Sequence, residues 1–137
     1  MNRMKTLWNV LTALVMLSTT GALAAHHENI QPVAKPGQVI VTYRGDCPSE
    51  AIDEAIDRIK ETIAYERKNS PILYTSSPGV WTDGKIGAVD LHESEAAMQK
   101  AFAWQAADKK WSSMYAGIAS ICGLKVEDFE VNSLVAR

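Results

Sequence analysis

WTDGKIGAVDLHESEAAMQKAFAWQAADKKWSSMYAGIASICG, residues 81–123, is the stretch on which the fold turns. It reads as a turn, a strand, a long helical stretch and a helix stop. Asp83-Gly84 is the dipeptide of a two-residue hairpin. Residues 85–91 alternate as a strand does, and Ser94 stands where an N-cap would hold a helix's first free amides. Trp111, Met114, Tyr115, Ile118, Ile121 and Cys122 recur at steps of three and four, the spacing of one buried helix face. Met98, Ala101 and Phe102 make an earlier stripe. Asp108-Lys109-Lys110 interrupts the two, so the stretch is read as one helix or as two pieces. Gly123 follows, where a left-handed residue would end the helix.

Upstream, residues 39–43 are rich in β-branched side chains and read as a first strand, ended by Gly45-Asp46. Pro48 suits the first turn of a helix, where its missing amide costs nothing. Ile52, Ala55, Ile56, Ile59 and Ile63 form that helix's apolar stripe, with charged residues such as Asp53, Asp57 and Lys60 opposite. Acidic residues at its start and Arg67-Lys68 at its end suit the helix dipole. Asn69-Ser70-Pro71 stops it. Residues 72–82 read as a second strand interrupted at Pro78-Gly79, and proline there predicts an edge or a bulge. Downstream, Phe129, Val131, Ser133 and Val135 share one face of a last strand, with Glu130 and Asn132 on the other. With right-handed crossovers, this order gives an α+β, ferredoxin-like βαββαβ domain over residues 38–137. Its four-stranded antiparallel sheet carries the helices on one face. The bare second face predicts a homodimer.

The chain has 137 residues, enough for one domain. Arg3, Lys5, the apolar run of residues 7–17 and Ala22-Leu23-Ala24 read as a secretory signal peptide, residues 1–24, cleaved after Ala24. The run is short for a bilayer span. Residues 25–37, with two prolines and no apolar period, read as an irregular arm. The expectation is an exported, periplasmic protein with no membrane attachment after cleavage. The formal net charge is −2, and loss of Arg3 and Lys5 makes it more acidic, so nucleic acid is not an expected partner.

Residues 83–97, Asp-Gly-Lys-Ile-Gly-Ala-Val-Asp-Leu-His-Glu-Ser-Glu-Ala-Ala, resemble the third strand and helix start of dimeric α/β-barrel proteins of the antibiotic-biosynthesis-monooxygenase-like group. Ser70-Pro71-Ile72-Leu73 resembles that group's entry to its second strand. The resemblance implies a homodimer whose sheets face each other and a pocket between sheet and helices. The group includes cofactor-free oxygenases of polycyclic aromatics, haem-degrading enzymes and proteins without known activity. Ala101 and Trp111 stand where the haem degraders carry a helix tryptophan and a haem-ligating histidine, which argues against haem. His92 stands where many relatives have an aromatic. No cofactor is expected.

Several residues invite a chemical reading. Cys47 precedes the first helix and Cys122 ends the last, at the same end of the expected sheet. They are either a disulfide or two separate thiols. Asp90 and His92 lie two apart and share a face with Ile86 and Ala88. They form an acid–base pair or a solvated strand end. Tyr43, Tyr74, Trp81 and Trp104 are candidates to line an aromatic site, while Trp111 and Tyr115 on the stripe are read as core. Arg44 would meet an anionic ligand or be a surface charge. Cleavage after Ala24 would expose Ala25-His26-His27, a square-planar Cu(II) motif or a chance pair. Two functions are therefore carried forward. One is a small-molecule site with monooxygenase-like chemistry on an aromatic substrate. The other is a non-catalytic ligand-binding or interaction module.

Overall fold

The computed structural model describes residues 31–137, with one compact unit at Val33–Arg137. The elements are β1 (Val39–Gly45), α1 (Ile52–Asn69), β2 (Tyr74–Val80), β3 (Ile86–His92), α2 (Glu95–Ala107), α3 (Lys109–Ile121) and β4 (Glu130–Val135). Short 3-10 turns at Ser49–Ala51 and Val126–Asp128 precede α1 and β4. The strands form one sheet in the order β2-β3-β1-β4, and every neighbouring pair is antiparallel. This is the expected α+β, ferredoxin-like arrangement, with the last helix divided in two.

Asp108 makes the division. Its backbone leaves the helix at φ −83°, ψ 106°, and its carboxylate accepts the amide of Trp111 at 2.8 Å. One residue therefore ends α2 and caps α3. Ser94 caps α2 in the same way, accepting from the Ala97 amide at 3.1 Å. The hairpin differs from expectation by one residue. The Gly84 amide bonds Trp81 O at 2.8 Å and the Trp81 amide bonds Lys85 O, so Thr82-Asp83-Gly84 is a three-residue loop. Gly84 at φ 89° takes the left-handed position that such a loop requires, and Gly123 at φ 69° ends α3 as anticipated. β2 runs through Pro78 without a break. As an edge strand it has one side with no ladder to feed. Pro48 stands just outside the helical turn, at φ −57°, ψ 140°, rather than within it.

The core lies where α1 and α3 cover the sheet. Ala55, Ile59 and Ile63 from α1 meet Ile118, Ala119 and Cys122 from α3, Ile86 from β3 and Phe129. Cys47 and Cys122 are disulfide-bonded, joining the lead-in to α1 with the end of α3. Register and alternation put Val39, Val41 and Tyr43, Ile86 to His92 at every second residue, and Tyr74 and Ser76 on the helix side. Ile40, Thr42, Arg44, Val89, Leu91 and Leu134 take the opposite face. Among the described residues, no helix is long and apolar enough to cross a membrane.

Candidate functional site

The helix side of the sheet is unusual in what it buries. Glu66, Ser76, Asp90, His92 and Gln105 are all within 7 % of full burial, and His92 has no exposed surface. Each arrives on a regular element. Glu66 is one turn beyond Ile59 and Ile63 on the α1 stripe. Ser76 and Asp90 face each other across β2 and β3. Gln105 follows Ala101 by one turn on α2. Because their backbones are held by helix and ladder, their side chains are pre-positioned.

Two hydrogen-bonded groups result. Ser76 Oγ donates to Asp90 Oδ1 at 2.6 Å. Glu66 Oε1 accepts from Trp111 Nε1 at 2.6 Å and from Gln105 Nε2 at 3.4 Å, and the same Gln105 nitrogen reaches Tyr74 Oη at 3.1 Å. Between them is a cavity of about 50 Å³. Tyr43, Glu66, Ser76, Asp90 and Trp111 supply its polar lining, and Ile59, Tyr115 and Phe129 contribute to its apolar wall.

Three polar atoms in this region have no hydrogen-bond partner: Tyr43 Oη and both ring nitrogens of His92. Tyr43 is close enough to Asp90 to feel its charge, but makes no hydrogen bond of good geometry with it. His92 Nε2 is 3.9 Å from Asp90 Oδ2, too far to bond directly. His92 stacks on Tyr74 with ring centres 4.8 Å apart, and the edge of Phe102 approaches at 6.0 Å. Buried polar atoms are almost always paired, so Tyr43 Oη on the cavity wall marks a place for water or a ligand, while the His92 nitrogens lie outside the lining.

Burial also sets the protonation states. Desolvation raises the Asp90 carboxyl from 3.8 to about 7, with the Ser76 hydrogen bond opposing it, the Glu66 charge adding to it and the nearby Tyr43 hydroxyl opposing it. Glu66 is raised too, mainly by desolvation, against the pull of its Trp111 bond. Burial lowers His92, which is therefore neutral near pH 7. Tyr43 and Tyr74 are held above the ordinary phenol range, chiefly by burial, and Tyr115 is pushed up to about 12 by burial and by Asp90. The cavity thus contains a carboxyl that loads and unloads its proton near neutrality.

Of the sequence candidates, Asp90, His92, Tyr43 and Tyr74 come together here. His92 lies behind Asp90 rather than on the cavity wall, and it is buried rather than solvated. Trp81 and Trp104 stand elsewhere. Trp81 donates to Tyr43 O at 3.1 Å and lies under the Arg44 guanidinium, 4.9 Å from it. Arg44 is engaged by Asp83 at 2.5 Å. Trp104 lies beside Tyr65, whose hydroxyl donates to Asp108. The cavity's tryptophan is Trp111, read from the sequence as core. Glu66, Ser76 and Gln105 were not singled out. A signal existed for Glu66: an acid continuing the apolar stripe at the i+3 step from Ile63. His26 and His27 lie outside the described residues. Among the described residues, no cluster of three or more His, Cys, Asp or Glu side chains is placed to hold a metal.

These elements define a ferredoxin-like α+β domain with a small, largely apolar cavity between its sheet and helices, into which a few buried polar groups reach. No protein-family model matches the chain, and no curated protein matches it in sequence. Its likenesses are structural, and monooxygenase-like ferredoxin-fold proteins are among them. A conserved protein from Methanosarcina mazei Go1 superposes with a TM-score of 0.55 at 9 % identity, over 73 % of this chain and 93 % of that one. A dimeric ferredoxin-like protein of unknown function from Jannaschia sp. CCS1 gives 0.55 at 13 %, over 72 % and 98 %. A mutant of SnoaB, a cofactor-independent oxygenase from Streptomyces nogalater, gives 0.51 at 16 %, over 74 % and 94 %. Identities this low show a shared fold and leave activity to the site.

Proposed function

We propose that Val33–Arg137 binds a small molecule in the cavity beneath α1 and α3, and that Asp90 exchanges a proton with it. The supporting observation is a buried acid titrating near 7 beside polar atoms that lack partners. A ligand hydroxyl would find an acceptor in Asp90 and a donor in Tyr43. A flat ring would find Tyr115, Phe129 and Trp111. The finer reading is oxygenase chemistry on an aromatic. A cofactor-independent oxygenase shares the fold. Here Asp90 would take a proton from an acidic aromatic, leaving an electron-rich anion able to reduce dioxygen directly. Asp90 would hold that proton, since burial makes His92, 3.9 Å behind it, the weaker base of the two.

The cavity volume favours the second reading. About 50 Å³ holds water but not a benzene ring, for which about 150 Å³ is needed. An aromatic ligand enters only if Trp111 or Gln105 gives way. A non-catalytic ligand-binding or interaction module needs no such opening. Under either reading we place the protein outside the cytoplasm. The apolar leader of residues 7–17 and the Cys47–Cys122 bond support export to the periplasm. The open apolar sheet face, and a structural neighbour described as dimeric, support a homodimer.

The test uses catechol and 1-naphthol as probes, with calorimetry for binding and an electrode for dioxygen uptake. The oxygenase reading expects binding that strengthens from pH 6 to pH 8, weakens about tenfold in Asp90→Asn and is accompanied by dioxygen uptake. Binding without uptake leaves the module. No binding of either probe removes the small-molecule reading.

A further inference from the structure

A second depression adjoins the cavity. It has a volume of about 480 Å³ and lies between the end of α1, the loop after it and β2, lined by Arg67, Ser70, Ile72, Leu73 and Tyr74. Ile63, Glu66 and Ser76 line both this groove and the cavity, so these side chains form the shared wall. The groove and the cavity meet at these three residues.

The groove's charge is unbalanced. Arg67 donates from Nη2 to Ser76 O at 3.3 Å, which holds the guanidinium against the strand that carries the wall. Among the described residues no carboxylate lies within ion-pair distance of it, as is also true of Lys68 and several other surface cations. The one acid lining the groove is Glu66, and its Oε1 is turned to Trp111 and Gln105 on the inner side. The rest of the surface is apolar or neutral, and Leu73 is 90 % exposed. A planar guanidinium with free donors beside an apolar floor suits a carboxylate attached to a hydrophobic body.

We propose that this groove is the outer half of a bipartite site, which selects small aromatic acids: Arg67 takes the ligand's carboxylate, and the hydroxyl-bearing end passes the Glu66–Ser76 wall toward Asp90. The proposal rests on the cavity reading above and adds the ligand's charge and the route of entry. Its larger volume accommodates the ring that the inner cavity cannot hold alone.

The test compares 4-hydroxyphenylacetate with its uncharged amide, 4-hydroxyphenylacetamide, by calorimetry on the full mature chain, with catechol as the probe of the inner cavity. The acid is expected to bind about tenfold tighter than the amide, with the preference shrinking in 0.5 M salt. Arg67→Gln should erase the preference and Arg67→Lys should keep part of it. Lys68→Gln, an equal loss of charge one residue away and outside the groove, should leave it intact. Equal binding of acid and amide by the wild type, with catechol still bound, overturns the proposal and spares the cavity. Loss of the preference in Lys68→Gln as complete as in Arg67→Gln also overturns it, since net charge then suffices. If catechol, acid and amide all fail to bind, both readings fall together.

Discussion

The two faces of the sheet are both mixed, and each carries residues that are out of place. On the helix side, beneath α1, α2 and α3, Asp90, His92, Ser76 and Tyr43 stand among the apolar Val39, Val41 and Ile86. On the open side stand Ile40, Val89, Leu91 and Leu134, with Leu134 59 % exposed and Val89 38 %. A half-buried antiparallel sheet ordinarily hides its apolar residues and wets its polar ones. Two neighbouring pairs set the contrast side by side. Val41 pairs with Asp90 on the sealed face, while one residue along, Ile40 pairs with Leu91 on the open one. Each departure has a separate meaning. Ionisable groups are costly to seal away, so their presence points to chemistry or binding. Apolar side chains left in the open point to something that covers them. If a second copy of this chain lies over the open face, the second departure is resolved and the first still calls for a ligand or a reaction.

The largest expected effect concerns the cover over the sealed face. Cys47–Cys122 closes a sequence separation of 75 and ties the start of α1 to the end of α3. Chain-entropy arguments give it about 4 kcal/mol. Reduction, or the double change Cys47→Ser with Cys122→Ser, should lower the melting temperature by roughly 15 °C or more. It should also make Trp111 and Glu66 easier to reach, read as faster hydrogen exchange of α3. A shift of a few degrees would mean that packing alone holds the cover.

Next comes the cost of sealing Asp90. Its folded pKa, near 7, lies above its ordinary 3.8, so the folded chain holds this proton more tightly than the unfolded chain. The associated stability is complete below about pH 4 and is lost as pH rises through 7, by roughly 4 kcal/mol in total. Glu66, also raised, acts in the same direction. His92 opposes them, because its lowered pKa makes stability fall as pH drops below about 6.5. Asp90→Asn, which keeps an oxygen for Ser76, should flatten the fall between about pH 4 and pH 7 and leave the variant more stable than wild type at pH 8. Chemical denaturation at pH 5, 6, 7 and 8 measures it. An unchanged slope would show that Asp90 is not sealed as described.

The contrast between faces also explains what the sequence disclosed. The alternation of β3 and the stripe of α3 were legible because burial of a whole face leaves a period behind. The split at Asp108 was legible as a run of charge. The hairpin was misread by one residue because Asp-Gly looks alike as a two-residue loop and as the end of a three-residue one. His92 was the harder case. A polar residue at a strand end usually surfaces, and nothing local reveals that α2 returns to lay Phe102 against it. Glu66 and Gln105 escaped because their neighbour, Trp111, comes from a third element. Periodicity reports which way a side chain points. It does not report what else arrives there.

A matched pair of truncations measures the two faces most directly. Ile86→Ala removes a fully buried side chain from the core beneath α1 and α3 and should cost about 3 kcal/mol. Leu134→Ala on β4 removes a side chain that is 59 % exposed in the single chain, and should cost under about 0.5 kcal/mol if that face stays wet. The smaller number is the more informative. If a second copy covers β1, β3 and β4, the cost of Leu134→Ala grows with protein concentration, because association then contributes to the measured stability. Leu134→Lys sharpens the reading. A lysine is harmless on a wet strand but leaves a charge to be desolvated on a covered one. Sedimentation of wild type and Leu134→Lys across a hundredfold range of concentration separates the cases. A wild-type dimer that Leu134→Lys dissociates would show the open face to be a joint. Two monomers of equal stability would show that it carries its apolar residues uncovered, and the buried polar groups of the helix side would remain as the one departure to explain.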